Sequence, residues 1–185
     1  GEYGLQMFLR DTGASTWYLD STYSVPGKVV RVERYYNQLI FAGSDKGLFV
    51  FNISNPHSAE LVFTDTTWSR GVEDIVAEYG RAAVLSQYGS HLVNLQITDS
   101  GSVYIESVFR MYGDTCGVEI LVDTISVVSQ NALYIVAPPI GDGDICDEIN
   151  GIKYVSYKNP VSVTEFEGHG TDIVTAGPYA YISVK

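Results

Sequence analysis

Residues 42–56, AGSDKGLFVFNISNP, contain one strand and both of its boundaries. Gly47 opens the apolar run Leu48-Phe49-Val50-Phe51, and Asn52-Ile53-Ser54-Asn55-Pro56 closes it with Asx and proline turn chemistry. The stretch decides the fold because it recurs. Ser90-His91-Leu92-Val93-Asn94-Leu95 follows the run that starts at Gly47 by 43 residues, and Gly4-Leu5-Gln6-Met7-Phe8-Leu9 precedes it by 43. Gly151-Ile152-Lys153-Tyr154-Val155-Ser156 reads as a fourth copy, set behind an insertion.

Three more strand types recur around this one. Just upstream, Gln38–Ala42 corresponds to Arg81–Leu85, Ala132–Val136 and Tyr179–Ser183. Before those come Val29–Val32, Asp74–Ala77, Val118–Leu121 and Asp172–Thr175. After the turns come Trp17–Asp20, Glu60–Phe63, Tyr104–Ser107 and Val161–Thr164. The segments alternate or are continuously apolar, and no 3.6-residue period appears. Four short strands in roughly 43–50 residues form the repeat of a β-propeller blade.

The blades span about 28–70, 71–113 and 114–168, the last carrying the insertion. Residues 169–185 hold only the first two strand types, and residues 1–27 only the last two. The predicted fold is therefore all-β. It is a four-bladed β-propeller made of the single domain 1–185, with its last blade shared by N- and C-terminal strands. Closure would remove the exposed sheet edges of a linear stack. Two other arrangements fit the same repeats. One is a piece of a larger propeller, and the other is chains that join head to tail through their half-blades.

The run Gly47–Pro56, continued by Ala59-Glu60-Leu61-Val62, resembles the repeats of the LVIVD family. The match is good over the first blade. It is partial at Ile97-Thr98-Asp99-Ser100-Gly101 and at Arg10-Asp11-Thr12-Gly13, and only Lys158-Asn159-Pro160 remains in the third blade. The resemblance implies a β-propeller of exported or cell-surface proteins and no particular reaction, so it carries no catalytic residue.

Charge narrows the partners. Of 185 residues, 22 are Asp or Glu and 11 are Lys or Arg, a net charge of −11. That balance opposes nucleic-acid backbones, which need clustered positive charge. No apolar run reaches the length of a membrane span. Cys116 and Cys146 bracket the insertion. A disulfide between them would stabilise by about 3–4 kcal/mol in the chain-entropy model, the alternative being two unpaired thiols. Asn52-Ile53-Ser54 makes Asn52 an N-glycosylation acceptor. With a start at Gly1 rather than Met, these features point to an extracellular or cell-surface setting.

Candidate sites are few. Asp142, Asp144, Asp147 and Glu148 crowd the glycine-containing stretch 141–148, a composition that suits Ca2+ or simply a solvated acidic loop. No other cofactor is expected. His57, His91 and His169 fall in different blades, with His169 near Asp172. Asp74 and Asp172 occupy comparable positions, with Glu73 and Glu119 nearby. Such axis-facing carboxylates bind a cation or small polar ligand, or merely cap loops. Trp17 and Trp68 read as exposed anchors for a partner. Fourteen tyrosines, among them Tyr35, Tyr36, Tyr79, Tyr88, Tyr112, Tyr134, Tyr154, Tyr157, Tyr179 and Tyr181, favour packing or a sticky face.

The chain shows no nucleophile elbow, phosphate loop or HExxH motif. The expected function is a non-enzymatic structural or interaction module. It binds a protein partner or itself, as in a filament, through terminal strands or tyrosine-rich faces. The alternative is a small-ligand or Ca2+ module that uses the channel mouth and loop 141–148.

Overall fold

A computed structural model describes residues 4–11, 13–86, 89–111, 114–121, 124–137, 147–149, 152–156, 162–176 and 179–185. The fold is all-β, built of several antiparallel sheets in the manner of a propeller. An N-terminal hairpin pairs β1 (Leu5–Asp11) with β2 (Thr16–Tyr23). Sheet I holds β3 (Val29–Tyr35), β4 (Leu39–Ser44), β5 (Leu48–Asn52) and β6 (Glu60–Asp65). Sheet II holds β7 (Asp74–Glu78), β8 (Arg81–Ser86), β9 (His91–Ile97) and β10 (Val103–Arg110). Sheet III holds β11 (Thr115–Leu121), β12 (Thr124–Ser129), β13 (Ala132–Val136) and, after the short β14 (Asp147–Ile149) and β15 (Ile152–Ser156), β16 (Ser162–Glu165). A C-terminal hairpin pairs β17 (Gly170–Ala176) with β18 (Tyr179–Val184).

Alternation along each strand gives every inner sheet two apolar faces, and the faces stack in chain order. Phe49, Phe51 and Ala42 of sheet I pack toward Leu5 and Tyr23 of the N-terminal hairpin. The opposite face, Leu39, Phe41, Leu48 and Val50, meets Ile75, Ala77, Ala82 and Val84 of sheet II. Beyond it, Ala83, Leu85 and Leu92 meet Val118, Ile120, Ile125 and Val127 of sheet III. Burying side chains of this size contributes about 1.5–3 kcal/mol each. Gly47 makes the entry to β5 possible. Its φ is +154°, and a Cβ there would lie 2.4 Å from the Asp65 carbonyl oxygen.

A serine ends the second strand of each full sheet and clamps the turn behind it. Ser44 Oγ donates to Pro26 O at 2.8 Å and Gly47 O at 3.2 Å. Ser86 Oγ donates to Trp68 O at 2.6 Å, and Ser129 Oγ to Ala132 O at 3.2 Å. All three serines are buried, so each hydroxyl is a satisfied polar group inside the stack.

Sheets I and II follow the repeat read from sequence, while the insertion departs from it. Ala132–Val136 is the third strand of sheet III, not the second. The second is β12, which stands as far from Arg81 as Arg81 does from Gln38. The copy at 151–156 does not belong to sheet III. Its strand β15 runs parallel to β10, with Val108 opposite Tyr154, and lengthens sheet II to the order β14-β15-β10-β9-β8-β7. An outer strand carries unpaired backbone groups, and β15 satisfies those of β10. The strands expected to share one blade form two separate hairpins.

Candidate axial site

The first strands of successive sheets, β3, β7, β11 and β17, lie side by side. Three of them enter through a β-bulge, between Val29 and Arg31, Thr115 and Gly117, and Gly170 and Asp172. In sheet II the Glu73 amide donates to Leu85 O beside the Asp74–Leu85 pair. Bulges re-aim side chains at strand ends. Here Glu73, Cys116 and Thr171 line one cleft of roughly 690 Å3, together with Asp114, Gln130, His169 and Lys185. Gln130 Nε2 donates to Asp114 Oδ2 at 2.7 Å, and the Thr115 hydroxyl donates to Gly89 O.

Asp74 joins three sheets. Its Oδ1 lies 3.4 Å from Arg31 Nε of β3, and its Oδ2 accepts the Val118 amide of β11 at 3.1 Å. Burial nevertheless raises its pKa, against those hydrogen bonds and Arg31 and with help from Asp172. Glu119 is pushed up to about 7, first by burial and then by the charges of Glu78, Asp74 and Glu33. A hydrogen bond from Thr175 Oγ1 at 3.5 Å opposes the shift. Burial is also the main cause of the raised Glu33. These inner strands therefore present a crowded row of carboxylates.

Cys116 sits within that row. Burial, then Asp172, Asp74, Glu73 and Asp114, raise its pKa, so the group is a thiol and not a thiolate at neutral pH. It is a free cysteine whose Sγ donates to Gly170 O at 2.9 Å. Its expected partner in a bridge, Cys146, lies outside the described residues. The electrostatics of the cleft suit a cation or a cationic group, and they disfavour a cysteine nucleophile.

The three histidines do not converge. His57 Nδ1 lies 3.1 Å from Asp20 Oδ1 and ties the 3-10 turn Pro56–Ser58 to the N-terminal hairpin. The His91 ring lies 6.2 Å from the Trp68 ring and is tilted 47° to it, and burial followed by Arg110 lowers its pKa. His169 alone lies in the cleft. Among the described residues, no three of His, Cys, Asp and Glu gather as metal ligands do. Asp142 and Asp144 lie outside the described residues, whereas Asp147 and Glu148 belong to strand β14. Asn52 ends β5, and its Oδ1 accepts the Ser54 amide at 2.9 Å, an Asx turn within the glycosylation triplet.

Trp17 is exposed, as expected, but Trp68 packs against the core between sheets I and II. Tyr35 also packs there, and its hydroxyl accepts the Gly80 amide at 3.1 Å. Tyr36, Tyr79, Tyr179 and Tyr181 are exposed, Tyr134 packs on the core, Tyr154 lies in β15, and Tyr88, Tyr112 and Tyr157 lie outside the described residues. Sequence reasoning missed the joining role of Asp74, the pairing of Asp114 with Gln130, and Lys185. The usable signal was the shared spacing of Val30, Glu73 and Cys116, each one repeat apart at the entry to an inner strand.

No family model matches the chain, and no curated protein does. Among solved structures, a protein from Lactobacillus plantarum superposes with TM-score 0.72 at 12% identity, over 98% of this chain and 56% of its own. A functionally unknown protein from Desulfotomaculum acetoxidans gives TM-score 0.56 at 12% identity, over 71% of this chain and 44% of its own. The chain thus spans about half the length of these structures, and the likeness is one of fold.

Proposed function

We propose that the chain is a non-enzymatic β-propeller module of an extracellular or cell-surface protein, of LVIVD-repeat type. It works by joining other protein strands and surfaces. Sheets I, II and III are its complete blades. The two hairpins are complementary halves, and joined tail to head they make one further blade. If the join lies within one chain, a four-bladed ring results.

One contrast carries this reading. Residues at a single repeat position are buried between full sheets and bare beside the hairpins. Val32 is 52% exposed where its equivalents Ile75 and Val118 are 6% and 2%, and Phe8 is 49% exposed where Phe51 and Leu95 are 4% and 0%. These are core positions whose neighbouring strands are absent, and bare apolar surface of this kind marks an association site. Hydrogen exchange tests it. The β18 and β1 amides should be protected to the level of the β4 and β8 amides. Exchange of both strands at the rate of an unpaired edge would sink the joined-half reading.

A second reading is favoured by Glu73 and Asp114, the two carboxylates that line the cleft beside Cys116. The cleft at the head of the inner strands would hold a small cationic ligand or Ca2+. A thermal midpoint that rises with ligand concentration supports this, and an unmoved midpoint across divalent cations and polyamines rejects it.

A further inference from the structure

We propose that the half-blades are joined between two copies of this chain, which close one ring through two shared blades. The inference rests on the joined-half reading above and names the partner. Three full sheets separate the hairpins. One hairpin packs on sheet I through Leu5 and Tyr23, and the other packs on sheet III through buried Ile173 beside Gly117. This chain superposes on 56% of a longer chain, which therefore carries further protein beyond the part matched here. A second copy supplies it with matching strand types.

The register follows from the ladders. Val32 pairs Ala42, Ile75 pairs Val84, Val118 pairs Val127, and Ile173 pairs Ile182. Ile182 therefore stands where Ala42, Val84 and Val127 stand, and those residues face Phe49, Val93 and Tyr134 on the third strand. The β1–β2 bulge falls between Met7 and Phe8, as the β5–β6 bulge falls between Val50 and Phe51. Gln6 thus occupies the place of Phe49. Ile182 of one copy lies opposite Gln6 of the other, with Ala180 opposite Phe8.

The arrangement also covers the bare faces. Val174 is the equivalent of Val76, which packs into the core it shares with Val118. In the ring, Val174 of one copy covers exposed Val32 of the other. Exposed Phe8 then lies over the outer strands of the other copy's sheet III, where Val163 is exposed. Each chain carries −11, so the copies repel at long range and added salt should tighten their association.

The test uses the full chain. Light scattering on the unmodified protein should give twice the 20.3 kDa chain mass, with the dimer fraction rising with salt. Cross-linking then identifies the joint. In a Cys116→Ser, Cys146→Ser background, single Gln6→Cys and Ile182→Cys chains are mixed and oxidised, as are Met7→Cys and Tyr181→Cys. One of two adjacent cross-strand pairs is the close, non-hydrogen-bonded kind that forms a disulfide. Cross-linked dimers from a mixed pair, absent when Gln6→Cys is mixed with Val184→Cys, are the expected result. A double variant that cross-links only within a monomer overturns the second copy and keeps the joined halves. Open-ended ladders of higher mass overturn the closed ring. A monomer with no cross-link in any combination overturns both readings.

Discussion

Glu119 makes the protein less stable as the solution goes from acid to neutral. Its carboxyl is pushed from the ordinary value of 4.5 up to about 7, so the native chain holds a proton that the unfolded chain has released. The native state binds more protons in that window, and stability falls as pH rises from about 4.5 to about 7, then levels off. The full shift, at about 1.4 kcal/mol per pH unit, would be worth about 3.4 kcal/mol. Glu119 is half-buried, so solvent screening cuts this to about 1–2 kcal/mol. Glu119→Gln resembles the protonated acid and should remove the loss. Urea titrations of both proteins at pH 5 and pH 8 measure it. The variant should match the native chain at pH 5. It should exceed the native chain at pH 8 by about 1–2 kcal/mol, or roughly 2–8 °C in thermal midpoint. If the two proteins lose the same stability between those pH values, Glu119 is not the buried acid described, and the carboxylate row is better solvated than its geometry implies.

Asp74→Ala should cost about 2–4 kcal/mol, because it leaves the Val118 amide unsatisfied and frees Arg31, while Asp74→Asn should recover part of the loss. Equal losses in the two variants would mean that charge, not the acceptor oxygen, is what matters. Ser86→Ala removes the hydroxyl that clamps Trp68 O and should cost about 1–2 kcal/mol by chemical denaturation, against nearly nothing for the exposed Ser100→Ala. Phe41→Ala empties a fully buried site between sheets I and II and should cost about 3–5 kcal/mol. A thiol reductant should leave the thermal midpoint unchanged, since Cys116 is free. A drop of several degrees would show that the chain forms a 116–146 bridge after all.

The repeat was legible wherever a strand followed its predecessor at constant spacing. The run at Leu48–Asn52, its copies at β9 and β1, and the strands around them are where periodicity and turn residues place them. Reading failed at the insertion for a physical reason. β15 has the alternation of a third strand, and alternation says that a segment pairs, not with what. Thr124–Ser129 keeps the regular 43-residue spacing from Arg81–Ser86, but the later segment Ala132–Val136 is equally strand-like in sequence. In the candidate site, Asp74, Glu119 and Asp172 were picked out by position. What they do was not legible, since the Asp74 carboxylate is satisfied by an amide in another sheet. Trp68 was misread because its segment is a loop in sequence but packs beneath a full sheet.

The parallel pairing of β15 on β10 changes how the stack comes apart. A chain of blades that touch only their neighbours can fray one unit at a time from either end. Here a segment that leaves sheet III is stitched into sheet II before the chain returns to finish sheet III with β16. Neither sheet can reach its final edge until the other is nearly built. The two should melt as one cooperative block and form late, because that stitch is the longest-range strand pairing in the described fold. Sheet I, with no such stitch, is the unit free to open alone.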